Sequence, residues 1–178
     1  MLRTCGVRRK YSIVCFSILK KINLSQNYRD KLTLKINGII MNTDTRKEFD
    51  LFTDEYLQER TTRTTVLVGS SKIDDTIFRI LSSYFLPKTT KKTENDELLE
   101  GDRPLSTFSS RIKLIYRLGL IDKSFFMILE RIRAIRNESA HKLSFDITKN
   151  PLKGKLASIV NDMSKRESYS LIKQRYFN

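Results

Sequence analysis

Two stretches of helical apolar spacing, joined at a single glycine, constrain this chain more than any other feature. Residues 105–118, LSTFSSRIKLIYRL, place Ile112, Ile115, Tyr116 and Leu118 on one face. Residues 123–141, KSFFMILERIRAIRNESAH, do the same with Phe125, Ile128, Leu129, Ile132 and Ile135. Recurrence at threes and fours is the period of an α-helix, not the alternation of a strand. The punctuation agrees. Ser106 or Thr107 stands where an N-cap oxygen is needed, Gly119 where a left-handed residue ends a helix, and Asp122 where the next cap begins. A connection this short makes the two helices neighbours, and each still needs other helices to cover its apolar face.

The rest of the chain supplies them. RKEFDLFTDEYLQER, residues 46–60, follows a cap at Asp44 or Thr45 and carries Phe49, Phe52, Tyr56 and Leu57 at helical spacing. Residues 61–87 form a longer segment with Val66, Ile73, Ile77, Ile80, Leu81 and Tyr84 recurring at threes and fours, stopped by Pro87. Its Thr- and Val-rich start lowers helix propensity there. Residues 88–104 read as a charged loop with one helical turn at 97–100, closed by Gly101. After Pro151, LKGKLASIVNDM predicts a short helix, and YSLIKQRYFN is a helix or a frayed end. Only 6 Gly and 3 Pro punctuate 178 residues, which favours helices over many short strands. The fold class expected is all-α: a single helical bundle of about five or six helices with a basic N-terminal extension.

The charge is uneven. The net of +14 includes nine basic residues against one acid in residues 1–40. That segment alone carries +8, and the remainder of the chain +6. A basic excess attracts polyanions, but a solvated basic face is its commoner cause. The apolar run at residues 11–19 resembles a signal peptide core superficially, yet Lys20 and Lys21 follow at once without a small-residue cleavage site. It is also shorter than the roughly 20 apolar residues a bilayer requires. Composition changes at Met41. Residues 1–40 are therefore read as an extension and residues 41–178 as the folded helical domain. Both cysteines, Cys5 and Cys15, lie in the extension, and the core is expected to need neither a disulfide between them nor a zinc site. Their spacing offers no zinc site, and a reducing cytoplasm is the expected compartment.

Several chemistries have no sequence support. Ser70 and Ser71 lack a nearby His/Asp pair, no glycine-rich phosphate loop exists, and Asp74-Asp75 reads as a polar helix face. The pair of helices at 106–118 and 123–141 is better a packed αα-hairpin than a DNA-reading unit. The second helix opens with Phe125 and Phe126 where polar base-reading residues would be needed. The polar end of that helix is different. Asn137 and the lone histidine, His141, lie one turn apart and share a face, as do Arg133 and Asn137, with Arg136 beside them. Arginine holds phosphate, asparagine orients a hydroxyl or ring, and histidine titrates near neutrality. Such a set could cleave RNA without metal, with His141 as general acid/base and Arg136 stabilising phosphate charge. It could equally cap helix ends or tie helices together.

PLSTFSSRIKLIYRLGLIDKSFFMILERIRAIRNESAH, residues 104–141, resembles the mannitol operon repressor (MltR) family in its Pro-Leu-x-x-Phe-Ser-x-Arg-Ile-Lys-Leu start, its Leu-Gly-Leu-Ile turn and its Arg-Asn-x-x-Ala-His ending. Residues 61–77 are a weaker match, through Arg63, Leu67, Val68, Ile73, Asp74 and Asp75. Thr62 stands where an acid is usual, and Gly69-Ser70-Ser71 where alanines are. The resemblance covers roughly residues 45–150. It implies an all-helical cytoplasmic transcriptional regulator, of the kind that represses a sugar-alcohol operon. Such a protein would act by binding a protein partner or nucleic acid, without cofactor, metal or membrane. Arg136, Asn137 and His141 also form an Arg-Asn-x-x-x-His ending similar to that of HEPN domains. These are helical modules, commonly homodimeric, and many are metal-independent ribonucleases or toxins. On these grounds the candidate binding residues are Arg111, Arg133, Arg136, Asn137 and His141. The last group of three, Arg136, Asn137 and His141, would be catalytic under the ribonuclease alternative.

Overall fold

A computed structural model describes residues 9–19, 51–52, 56, 61–86, 89 and 96–177. Six helices account for most of them: α1 at residues 9–19, α2 Thr62–Tyr84, α3 Phe108–Arg117, α4 Lys123–His141, α5 Leu152–Ser164 and α6 Glu167–Phe177. Residues 51, 52 and 56 are also helical, and most of the helix expected at 46–60 lies outside the described residues. No strand occurs among the described residues, so the all-α expectation holds. The helices form one bundle in which α4 is central. It packs on α2, α3 and α5, while α2 also meets α3 and α5 meets α6.

The hairpin follows its sequence signals closely. Thr107 caps α3, its side chain accepting from the Ser110 amide. Asp122 caps α4, accepting from the Phe125 amide at 2.7 Å. Ile112 and Ile115 of α3 and all five stripe residues of α4 are buried. Between them the Gly119 amide donates to Tyr116 O and the Leu120 amide to Ile115 O, which is a Schellman stop. Gly119 sits at φ 68, where a side chain is strained. Gly119→Ala is therefore expected to lower unfolding free energy by about 1 kcal/mol, read as a shifted urea midpoint at unchanged slope. Arg166, beyond α5, closes the start of α4. Its guanidinium lies 5.4 Å from the Phe125 ring centroid and donates to Ser124 Oγ.

Helix α2 forms despite its Thr-rich start because those side chains satisfy its first turn. Thr61 accepts from the Thr64 amide, and the Thr65 hydroxyl donates back to Thr61 O. Further along, Ser70 donates to Val66 O at 2.6 Å, so its buried hydroxyl is satisfied within the helix. The segment after Pro151 is helical as expected, and the segment 167–177 is helix rather than an irregular tail.

Helix α1 lies in the segment set apart above as an extension, yet every residue from 11 to 19 is buried. Tyr11, Ile13, Val14, Cys15, Phe16, Ile18 and Leu19 join the main hydrophobic core. A helix that is apolar all round has to be enclosed. Cys15 is a free thiol within that core, fully enclosed and pushed up by burial to about 12. Cys5 is outside the described residues. Phe16 meets Tyr56 edge-on at 5.3 Å, and the Tyr56 hydroxyl donates to Thr65 O at 2.8 Å. The glycine of the Gly-Ser-Ser run now has a reason. A Cβ at Gly69 would fall 2.5 Å from the Tyr56 hydroxyl and 2.9 Å from Cys15 Sγ, so only glycine lets these groups approach α2.

Candidate functional site

The polar strip occupies the C-terminal end of α4, off its buried stripe. Arg133, Arg136 and Asn137 are half-buried there, and His141 is exposed at the last position of the helix. The arginines of this helix are used differently. Arg131 reaches across to α5 and pairs with Asp162 at 2.7 Å. Arg133 forks onto Glu130 of its own helix, through Nε at 3.2 Å and Nη2 at 2.7 Å. Arg136 has no carboxylate partner among the described residues. Its one hydrogen bond there is a long one, from Nη1 to Asn137 Oδ1 at 3.3 Å. Among the described residues it therefore ties no other helix by hydrogen bonding, and most of its guanidinium donors have no partner there. His141 likewise has no side-chain hydrogen bond among the described residues.

Arg111 is placed otherwise. It is buried where α3 crosses α2, and donates to Asp74 Oδ1 at 2.8 Å, Leu99 O at 2.6 Å and Leu105 O at 3.1 Å. Its guanidinium also lies 5.1 Å from the centroid of Phe78. In this arrangement it fastens the loop around residues 99–105 to α2 and α3. Asp74, read from sequence as part of a polar face, is its partner. Burial raises the Asp74 carboxyl above its ordinary value, although Arg111 and, at longer range, Arg136 pull it down. Asp75, next to Asp74, instead pairs with Arg79 at 3.1 Å on the surface of α2.

Sequence reasoning overlooked one contributor. Arg63, in the first turn of α2, donates from Nη2 to Lys142 O at 2.6 Å and to Leu143 O at 2.7 Å. These carbonyls lie directly after His141. The Arg63 guanidinium is 5.8 Å from the Phe145 ring centroid. Lys142 itself pairs with Glu138 and, with Lys155 of α5, holds that carboxyl below the usual range. Among the described residues no group of three or more His, Cys, Asp or Glu is arranged to hold a metal ion, and no helix is long and apolar enough to cross a membrane.

Two curated proteins resemble part of this chain. Both are mannitol operon repressors of Escherichia coli, one from strain K12 and one from strain CFT073. Each is 44% identical over 46 residues, which is 26% of this chain. The match spans 24% of each relative's own length, about a quarter. No protein-family model matches the chain, and no solved structure does.

Proposed function

We propose that this protein is a transcriptional regulator of the mannitol operon repressor kind, acting through a phosphate-bearing or acidic partner at the C-terminal strip of α4. The partial similarity to the two repressors supports the class. The observation that carries the site is the state of Arg136. It is the one arginine of α4 without a carboxylate among the described residues, and it lies beside Asn137, which is itself one turn from the exposed His141. A guanidinium left with free N–H donors in a half-buried setting is suited to an external carboxylate or phosphate. Arg133 flanks the strip but is spent on Glu130, and Arg111 supports it from the α2–α3 junction.

The test compares arginines. Affinity for duplex DNA and for single-stranded RNA is measured at physiological salt in the wild type, Arg136→Ala and Arg133→Ala. Loss of a charge-assisted contact of about 1.5–3 kcal/mol predicts a roughly ten- to hundredfold weakening for Arg136→Ala. Arg133→Ala should change affinity only severalfold. Equal effects of the two substitutions would sink the assignment. Binding that vanishes as salt rises would mark nonspecific attraction by the net positive charge.

A second reading is favoured by the exposure of His141 beside that arginine. Arg136, Asn137 and His141 would form a HEPN-type endoribonuclease site, with His141 moving a proton and Arg136 stabilising the phosphate. It requires the wild type to cleave RNA in the presence of a chelator, and His141→Ala to abolish cleavage without lowering thermal stability. A wild type inert toward varied RNA removes this reading and leaves the binding one.

A further inference from the structure

We propose that Arg63 is a positioning residue for His141, clamping the backbone just past the end of α4 so that the imidazole is held over the Arg136–Asn137 strip. The inference rests on the reading of that strip as a binding site. The geometry itself does not.

His141 is the last residue of its helix, a place where chains fray. Its side chain has no hydrogen bond among the described residues, so no polar contact among them fixes the imidazole. The backbone must do so. On the N-terminal side the α4 ladder continues to its last bond, from the Lys142 amide to Glu138 O. On the C-terminal side the carbonyls of Lys142 and Leu143 lie past the last bond of that ladder and take their partner from elsewhere in the fold. Arg63 supplies both from one terminal nitrogen, at 2.6 and 2.7 Å.

The donor is itself well held. It belongs to the first turn of α2, which Thr61 caps through the Thr64 amide and which packs against α4. The aromatic ring of Phe145 lies under the guanidinium, 5.8 Å away. The turn after His141 is thus pinned at two carbonyls and one ring by a residue roughly eighty positions earlier in the chain. The consequence is visible at Leu143. Its side chain is 99% exposed, so the turn is not held by burial of its own apolar residue. The clamp adds to the packing of Phe145 against the core as a source of order beside His141.

The lone histidine makes the test selective, because only one imidazole is present and its ring C–H resonance is unambiguous. Amide hydrogen exchange of residues 141–143 and that resonance are followed in the wild type, Arg63→Ala and Arg63→Lys. Without ligand, Arg63→Ala is expected to speed exchange at residues 141–143 at least tenfold while the amides of Ile132 and Ile135 stay protected. Arg63→Lys, which still carries donors, should restore most of that protection. Unchanged exchange at residues 141–143, or equal loss throughout α4, overturns the clamp. Inorganic phosphate is then added. In the wild type it should shift the imidazole resonance, and in Arg63→Ala the concentration required should rise at least fivefold. A phosphate response identical in the two proteins overturns the positioning role. No response in the wild type instead withdraws the strip as an anion site and leaves the clamp judged by exchange alone.

Discussion

A chain that begins at Met41 is expected to show no cooperative thermal transition. Such a chain lacks α1, and α1 has no solvated face between residues 11 and 19. Six of its side chains are large and essentially enclosed: Tyr11, Ile13, Val14, Phe16, Ile18 and Leu19. Each contributes about 1.5–3 kcal/mol when fully buried. Together they match or exceed the about 5–15 kcal/mol by which a domain is stable. Their removal also strips cover from the opposite wall, where Gly69 and Tyr56 are shaped around Cys15. A single substitution tests the same point within the full chain. Phe16→Ala removes a ring that meets both Phe52 and Tyr56 edge-on, and should cost about 3–5 kcal/mol. Circular dichroism melts of both proteins decide it. If the chain from Met41 melts like the full-length protein, residues 1–40 are a dispensable extension and the domain begins where the composition changes.

The sequence made the α3–α4 hairpin legible because its signals are local. Apolar period, cap residues and the terminating glycine all lie within a few positions of what they specify. Thr107, Gly119 and Asp122 each do what their types imply. Helix α1 failed the same reasoning for a physical reason. An enclosed helix has no polar face, so its run shows no stripe, and its basic flanks made it resemble an appended segment. The site divides in the same way. That Asn137 and His141 share a face follows from their spacing alone. Which arginine is free does not, because it depends on where the acids come to rest. Asp162 reaches Arg131 from 31 positions away, and Asp74 meets Arg111 from 37. Arg111, a candidate binding residue in the sequence, is buried in the fold and fastens the α2–α3 junction. Arg63 stood out in sequence only through resemblance, since nothing near it marks its contact with the turn after His141.

Arg111→Ala is expected to cost about 3–5 kcal/mol, because it breaks a largely buried ion pair and leaves its partners behind. The side chains of Arg111 and Asp74 are only 11% and 27% exposed. Removing the guanidinium strands the Asp74 carboxylate and takes a donor from each of the Leu99 and Leu105 carbonyls. The pH dependence carries the diagnosis. Burial raises the Asp74 carboxyl above its ordinary value, so between the ordinary and the raised value the folded state holds more proton than the unfolded chain. Its contribution to stability is therefore greatest at acid pH and is lost as pH rises through the raised value, the reverse of the usual surface carboxylate. In the wild type Arg111 limits that rise. Without it, the Asp74 carboxyl moves further up, and ionising it at neutral pH becomes more costly. The damage done by Arg111→Ala should thus be smaller in acid than at neutral pH. In the double variant Asp74→Ala/Arg111→Ala, the total loss should fall short of the sum of the single losses, because no stranded carboxylate remains. Urea unfolding at acidic and neutral pH measures all of this, with Lys113→Ala on the exposed face of α3 as the reference. An Arg111→Ala cost no larger than that reference, or one independent of pH, would mean that Arg111 does not fasten the junction and remains available to a ligand.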